Sequence, residues 1–104
     1  MKIRKAWLLV PGEEPKRIES IEGKEMDFKT MYPLIGCSTI EHVGLGKGVD
    51  MWCDEEGLFA SPAIINPRAS KLYQNAFPHI DPRELGIVGT AIVTDNTKAG
   101  AFQV

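Results

Sequence analysis

The sequence predicts an α+β fold, in which a mostly antiparallel sheet of about five strands packs against two helices. Short β-prone runs recur between glycine- and proline-rich turns, and two segments place apolar residues at i, i+3, i+4 and i+7, the spacing of one helix face. The length of 104 residues suits one domain with its own core. We therefore expect the order β-β-α-β-β-α-β over a single domain, residues 1–98, followed by a flexible tail, residues 99–104.

The sequence predicts the first strand more clearly than the second. Residues 3–10, "IRKAWLLV", are β-prone and end with apolar residues on both faces, so Trp7 is expected in the core. Residues 16–23, "KRIESIEG", alternate around Ile18 but lose phase at Ile21. This pattern predicts a half-buried strand at a sheet edge, ended by Gly23.

Residues 26–35 predict the first helix. Phe28, Met31, Tyr32 and Ile35 form one apolar stripe, and Gly36 is a suitable C-terminal stop. Pro33 lies inside this segment, where a proline removes a hydrogen bond and crowds the preceding turn. We expect either a kinked helix or a regular part that begins near Thr30.

A hairpin follows, made of "CSTIEHVGL" and "VDMWC" around the glycine-rich "GLGKG". This loop resembles a phosphate-binding loop only weakly, because it leads into a strand and not into a helix N-terminus. After the hairpin comes the acidic turn Asp54–Gly57, in which Asp54 can accept from the backbone two residues on and Gly57 is expected to supply a positive φ. Residues 58–65 continue as extended chain, interrupted at Pro62.

The second helix has the clearest boundaries. Asn66 is a favoured N-cap, Pro67 occupies the first helical position, and Pro78 ends the helix. Its apolar stripe consists of Ala69, Leu72, Tyr73 and Ala76.

The last predicted strand, residues 86–95, is apolar on both faces, which is typical of a central strand. Its small residues Gly89 and Ala91 are expected where a bulky group approaches the backbone.

Composition excludes several functions. Twelve basic against fourteen acidic residues leave a net charge of −2 without a basic stripe, which argues against binding of nucleic acid through its phosphates. The apolar run after the basic N-terminus is too short for a signal peptide, and no run approaches the length of a membrane span. We expect a cytoplasmic protein with no membrane contact.

Cys37 and Cys53 are sixteen positions apart, and neither His42 nor His79 lies at the spacing of a zinc finger. Both cysteines adjoin apolar strand patterns, which favours reduced thiols in the core over a disulfide or a metal site. We expect no metal and no cofactor.

Arg68 is the residue that the local pattern explains least. It falls in the first turn of the second helix, where the helix dipole disfavours a cation. An acidic group should compensate, either a carboxylate of the Asp54–Glu56 turn or an external anion held by the guanidinium and the free N–H groups of the helix start. We favour the internal pair because such pairs are commoner than ligands.

No serine lies in a nucleophile-elbow pattern and neither histidine lies in a recognisable triad context. The three consecutive carboxylates, Asp54 to Glu56, are typical of a solvated turn, although three acids can serve acid–base chemistry or a divalent cation.

The motifs "MWCDEEGLF", "INPRASKLY" and "IVGTAIV", preceded by "IGCSTIEHVGL", resemble the domain of unknown function 3846 family, which contains small phage and prophage proteins. The resemblance covers about residues 3 to 95 and departs from the family pattern at Pro33. It implies a phage accessory product made in an infected bacterium and supplies no catalytic residue.

Three functions follow as hypotheses. The first is a nonenzymatic binding module on a bacterial host protein, acting in host takeover or defence evasion, with a homodimer formed through an exposed strand or around Trp52. The second is sequestration of a small anionic ligand, such as a nucleotide, at the helix start from Asn66 to Arg68. The third is an enzyme that uses His42 or the acidic turn. The candidate binding residues are Trp52, Asp54, Glu55, Asn66 and Arg68.

Overall fold

A computed structural model describes residues 2–59, 62–81, 86–98, 100 and 102–104. Its strands are β1 (Lys5–Leu9), β2 (Lys16–Arg17), β3 (Ile40–Gly46), β4 (Val49–Asp54) and β5 (Ala91–Asp95), and its α-helices are α1 (Phe28–Ile35) and α2 (Pro67–Ala76). Within the described residues, 3₁₀ turns also span Glu19–Ile21 and Gly57–Phe59. The predicted α+β class and the order of elements are confirmed.

The five strands form one sheet in the order β2-β1-β5-β4-β3, and every neighbouring pair is antiparallel. The last strand in the chain is therefore the middle strand of the sheet, as its sequence predicts. All five residues of β5 are buried. A strand can bury both sets of its alternating side chains only when both faces of the sheet are covered.

One sheet face, which we call the α2 face, packs against α2. Trp7, Leu9, Met51 and Val93 come from three strands and meet the fully buried Ala69 of α2. Alternation along a strand sends every second side chain to this side, so the apolar phase of β1, β4 and β5 determines where α2 docks.

The opposite face, which we call the α1 face, packs against α1. Here Ala6, Trp52 and Ile92 lie beside Met31 and Ile35 of the helix. The sequence predicts helices on at least one face, and the structure places one helix on each. The sheet is therefore the central layer of three.

Helix α1 begins at Phe28 because Asp27 caps it, accepting a hydrogen bond from the backbone N–H of Lys29 at 2.9 Å. Gly36 ends it in the left-handed region with φ 80°, as predicted. The helix contains Pro33 and already begins at Phe28, so the predicted alternative of a regular part that begins near Thr30 is wrong.

The hairpin between β3 and β4 turns at Lys47 and Gly48, with φ values of 51° and 87°. Positive φ at both central residues matches the right-handed twist of the flanking strands. The prediction that "GLGKG" forms a hairpin turn is confirmed.

Three predicted stretches are shorter or different in the structure. Only Lys16–Arg17 of residues 16–23 pairs as a strand, because Ile18 to Ile21 turn into the α1 face as a 3₁₀ segment. Residues 86–95 contribute a strand only from Ala91. The segment after Asp54 begins with the 3₁₀ turn Gly57–Phe59 instead of extended chain, while residues 60 and 61 lie outside the described residues.

The segment expected to be a flexible tail makes contacts with the sheet. Phe102 packs edge to face against Trp7, with ring centroids 6.2 Å apart, and its N–H donates to the Asp95 carboxylate. The carbonyl of Gly100 accepts from Lys5 Nζ. These contacts hold the C-terminal segment against the α2 face, and its flexibility stays a prediction.

Candidate functional site

Large apolar side chains are exposed on the segment that leads from β4 to α2. Phe59 is 85% exposed, Ile64 is 55% exposed and Ile65 is 61% exposed. We call these three residues the apolar loop. They account for three of the five large hydrophobic side chains that are exposed in the described part of the chain, so exposed apolar surface is concentrated here.

Both ends of the apolar loop are attached at one place. Gly57 packs so closely on Val88 that a Cβ at position 57 would lie 2.9 Å from the Val88 carbonyl oxygen. Ile65 pairs with the same Val88 in an antiparallel bridge, and the carbonyl of Ile64 accepts from Gly89 N–H at 2.7 Å. The apolar loop is thus held near Val88 by close packing of Gly57 at one end and by backbone hydrogen bonds at the other.

Asn66 begins α2 and its side chain is fully used within the fold. Its Oδ1 accepts from the N–H of Ala69 at 3.1 Å, and its Nδ2 donates to the carbonyls of Leu9 and Gly89, each at 2.9 Å. The residue is 1% exposed. The N-cap prediction is confirmed, and Asn66 offers no free polar atom to a ligand.

Arg68 has an internal acidic partner, which is not in the predicted turn. Its guanidinium lies 3.5 Å from Oε2 of Glu14, which precedes β2, and both side chains are solvent-exposed. The expectation of a pair with Asp54, Glu55 or Glu56 is wrong because the β1–β2 connection is the acidic segment that reaches the start of α2. At this exposure the pair contributes little to stability.

A groove of about 380 Å³ surrounds this helix start. Arg68 and Lys71 line one part of it, and Glu13 and Glu14 line another. The opposed charges give the groove a mixed character, which suits a zwitterionic surface better than a strongly anionic ligand.

The acidic turn contains the Asp54 hydrogen bond that its sequence predicts, but Gly57 does not have the predicted positive φ. Asp54 Oδ1 accepts from the N–H of Glu56 at 2.9 Å, and the N–H of Glu55 donates to the carbonyl of Thr39. Glu55 and Glu56 are exposed. Within the described residues, no cluster of three or more His, Cys, Asp and Glu side chains is arranged to hold a metal ion.

Trp52 lies in the α1 face and is 5% exposed. The ring of His42 stacks on it with centroids 4.5 Å apart, and Phe28 meets it edge to face at 5.8 Å. His42 Nε2 is 2.7 Å from Asp50 Oδ1. The surface around Trp52 is therefore formed by His42 and Phe28, and the indole itself has little area left for a partner.

The two thiols are free. Burial raises the pKa of Cys53 to about 12, and neighbouring carboxylates add to the effect. Burial also raises the pKa of Cys37. Such thiols stay protonated and react slowly.

The structure brings together some of the predicted site residues. Asn66 and Arg68 share the start of α2, and Asp54 and Glu55 share the end of β4, whereas Trp52 points into the α1 face. The sequence reasoning missed the apolar loop. Its signal was the presence of Phe59, Ile64 and Ile65 without helical or strand periodicity in a segment containing Pro62.

No helix of the described part of the chain has the length and apolar character needed to cross a membrane. No curated protein and no solved structure matches the sequence. The profile of one family, described as a domain of unknown function (DUF3846), matches residues 3–103. Since this match spans nearly the whole chain, the protein belongs to the DUF3846 family.

Proposed function

We propose that this chain is a small phage-encoded accessory protein that acts as a nonenzymatic binding module on a bacterial host protein in the host cytoplasm. The observation that carries the proposal is the apolar loop, where three large side chains are more than half exposed. Exposed large apolar side chains concentrated on one segment are candidates for a protein interaction site. The resemblance to phage and prophage proteins supports a bacterial partner.

The apolar loop has the properties of an interface centre. Burying one large apolar side chain contributes roughly 1.5–3 kcal/mol, so Phe59 and Ile65 together can supply much of a micromolar affinity, about 8 kcal/mol. The hydrogen bonds of Ile64 and Asn66 to Gly89 and Ile87 hold the backbone on the helix side of the loop. A held backbone loses less entropy on binding.

The borders of the apolar loop are polar. Glu55 and Glu56 are exposed just before it, and Arg68 is exposed just after it. A polar rim around an apolar centre is the usual arrangement of a protein interface. Asp54, Glu55 and Arg68 are thereby proposed as rim contacts, which steer the partner more than they hold it.

The test is affinity capture from bacterial lysate with quantitative mass spectrometry of the retained proteins. The double variant Phe59→Ser with Ile65→Ser should lower retention of the specific partner on the order of 100-fold. Ile80→Ser is the matched control, because Ile80 is an exposed isoleucine outside the apolar loop. A partner retained equally by the wild type and the double variant would refute the role of the apolar loop.

A second candidate function is sequestration of a small anion at the start of α2. Arg68 and Lys71 supply two cations in the groove at this helix start, whereas Glu13 and Glu14 in the same groove oppose the binding of an anion. Calorimetric titration with inorganic phosphate and with a nucleotide tests this candidate directly. Binding that disappears in Arg68→Ala would favour sequestration, and no heat with either probe would end it.

A further inference from the structure

The sheet has one long open edge. Among the described residues, β3 pairs with β4 on one side only, while the opposite edge of the sheet is the two-residue strand β2. β3 spans seven residues, Ile40–Gly46. A strand of this length at an edge presents a row of backbone donors and acceptors that can pair with another strand.

The hydrogen bond between Glu55 N–H and the Thr39 carbonyl, 3.2 Å long, identifies which backbone groups of β3 point outward. In an antiparallel ladder the residues bonded to the partner strand alternate with residues whose groups point away. Because Thr39 points toward β4, so do Glu41 and Val43, and the outward residues are Ile40, His42 and Gly44. Within the described part of the chain, no hydrogen bond from outside the β3–β4 ladder reaches the backbone of these three residues.

The edge carries few of the features that normally block strand pairing. Glu41 is its one acidic residue, and the strand contains no lysine, arginine or proline. The irregularity in pairing with β4 begins only after Gly44. Ile40 to Gly44 is therefore a regular segment open to a partner.

We propose that β3 pairs antiparallel with β3 of a second copy of this chain, with the two-fold axis at His42. In this register Ile40 faces Gly44 of the partner copy and His42 faces its own counterpart, so all three outward residues form hydrogen-bonded pairs. The two five-stranded sheets become one continuous sheet.

Charge selects this register over its neighbours. An axis at Glu41 would set two carboxylates directly opposite each other, which is destabilising, and would pair fewer outward residues. With the axis at His42, Glu41 lies opposite Val43 of the second copy and not opposite the second copy's Glu41. The self-complementarity of the pairing is what favours a second copy over an unrelated strand.

Side chains extend the contact on the α1 face. His42 stacks on Trp52, and Phe28, which contacts the same indole, is 42% exposed. Pairing at His42 brings the two copies of this aromatic group to the same side of the joined sheet. The surface around Trp52 thus adds apolar contact to the backbone pairing.

Disulfide cross-linking tests the register. The variant His42→Cys, made in a Cys37→Ser background, places two thiols on residues about 5.5 Å apart between Cα atoms, within the range of a disulfide. Glu41→Cys in the same background is the matched control, because its two copies are diagonal neighbours about 7–8 Å apart. Mild oxidation should cross-link most of the His42→Cys protein and little of the Glu41→Cys protein.

Sedimentation equilibrium of the wild type tests association itself. The wild type should be dimeric at tens of micromolar, His42→Gln should remain so, and His42→Lys should be monomeric, because it sets two ammonium groups at the axis. If His42→Cys fails to fold, a mixture of Ile40→Cys and Gly44→Cys proteins should cross-link through the same register.

A monomeric wild type at these concentrations would overturn the proposal. Preferential cross-linking of Glu41→Cys would also overturn it, since it requires a different axis. The wild type could also be a monomer that binds a bacterial protein and loses this binding when His42 is replaced. That result would mean that the β3 edge pairs with the bacterial protein, and it would overturn the dimer. Loss of capture in the Phe59→Ser and Ile65→Ser double variant leaves the dimer in place, because the apolar loop is separate from β3.

Discussion

The indole N–H of Trp52 donates to the hydroxyl oxygen of Thr94 at 3.0 Å, and both side chains are buried in the α1 face. This bond joins β4 to β5 beside the backbone ladder and fixes the plane of the indole. The fixed plane is the platform on which His42 stacks and against which Phe28 packs. The bond therefore positions the aromatic surface beside the β3 edge.

Replacing Thr94 by valine should test that bond. The valine has nearly the shape of threonine but leaves the buried Trp52 N–H without its acceptor, at a cost of about 1–3 kcal/mol in the free energy of unfolding. Urea denaturation followed by tryptophan fluorescence measures it. Thr94→Ser keeps the hydroxyl and should cost less, and a Thr94→Val protein as stable as the wild type would show that the bond contributes nothing.

The elements that sequence reasoning predicted best are those with local causes. Asn66 and Pro67 start α2 through a capping hydrogen bond and a preset φ, both of which depend on adjacent residues. Lys47 and Gly48 form the hairpin turn for the same reason. Signals confined to a few neighbouring residues can be read from one sequence.

Contacts between segments that are distant in the chain were predicted less well from the sequence. Gly57 was expected to need a positive φ, yet it is not among the positive-φ residues and is required because Val88 approaches it. Gly89 was expected at a close approach, yet a Cβ there meets nothing within 4 Å and its φ is +80°. The partner of Arg68, Glu14, is 54 positions away in the chain. None of these relationships leaves a local pattern.

Substitution of the two glycines by alanine should separate their roles. Gly57→Ala places a methyl group 2.9 Å from the Val88 carbonyl oxygen, so the backbone must shift, at a cost typical of overpacking, about 1–3 kcal/mol. Gly89→Ala should cost about 1–2 kcal/mol through left-handed backbone strain alone. Asparagine tolerates the left-handed region, so Gly89→Asn should cost less than Gly89→Ala, whereas Gly57→Asn should cost at least as much as Gly57→Ala because its side chain is larger. Urea denaturation of the four variants measures these costs, and the same rank order at both positions would contradict the assignment.

Asn66 should be more sensitive to substitution than an ordinary N-cap. Asn66→Ala removes the acceptor for Ala69 N–H and the donor to the Leu9 and Gly89 carbonyls, so we expect a loss of about 2–4 kcal/mol against the 0.5–2 kcal/mol of a simple cap.

The control for this substitution is Asn66→Asp. It keeps the capping oxygen but turns a second carboxylate oxygen toward two carbonyl oxygens, so it should rescue little of the loss at neutral pH. Chemical denaturation of both variants measures the difference. Full rescue by aspartate would mean that the Nδ2 bonds are unimportant.

The cysteines should differ in reactivity. Cys53 is buried and its thiol has a pKa of about 12. Burial also raises the pKa of Cys37, but the fold encloses this side chain less completely. With a thiol-specific chromogenic reagent in mild alkali, Cys37 should react slowly and Cys53 only after unfolding. Cys37→Ser should abolish the native-state signal. A fast native-state reaction in that variant would place Cys53 at the surface and contradict its packing in the α2 face.

Asp95 should make the attachment of the C-terminal segment pH-dependent. Its fully buried carboxylate accepts from the N–H and hydroxyl of Thr97 and from the N–H of Phe102. Burial opposes ionisation, but the hydrogen bonds from Thr97 and Phe102 outweigh it and the pKa of Asp95 lies below its ordinary value. Because the folded pKa is depressed, the carboxylate stabilises the fold at neutral pH, and this contribution is lost as the pH falls from the ordinary value through the folded one.

Asp95→Asn should therefore lower the free energy of unfolding at neutral pH by about 1–3 kcal/mol, since an amide cannot accept at both positions. The difference from the wild type should shrink in acid, where the wild-type carboxyl also becomes protonated. Urea denaturation over this pH range measures the stability, and Trp7 fluorescence reports whether Phe102 still packs on the indole. The exposed Glu55→Gln serves as the control and should leave both readouts unchanged. A gap between Asp95→Asn and the wild type that grows in acid would reverse the sign of the linkage and refute the role assigned to this carboxylate.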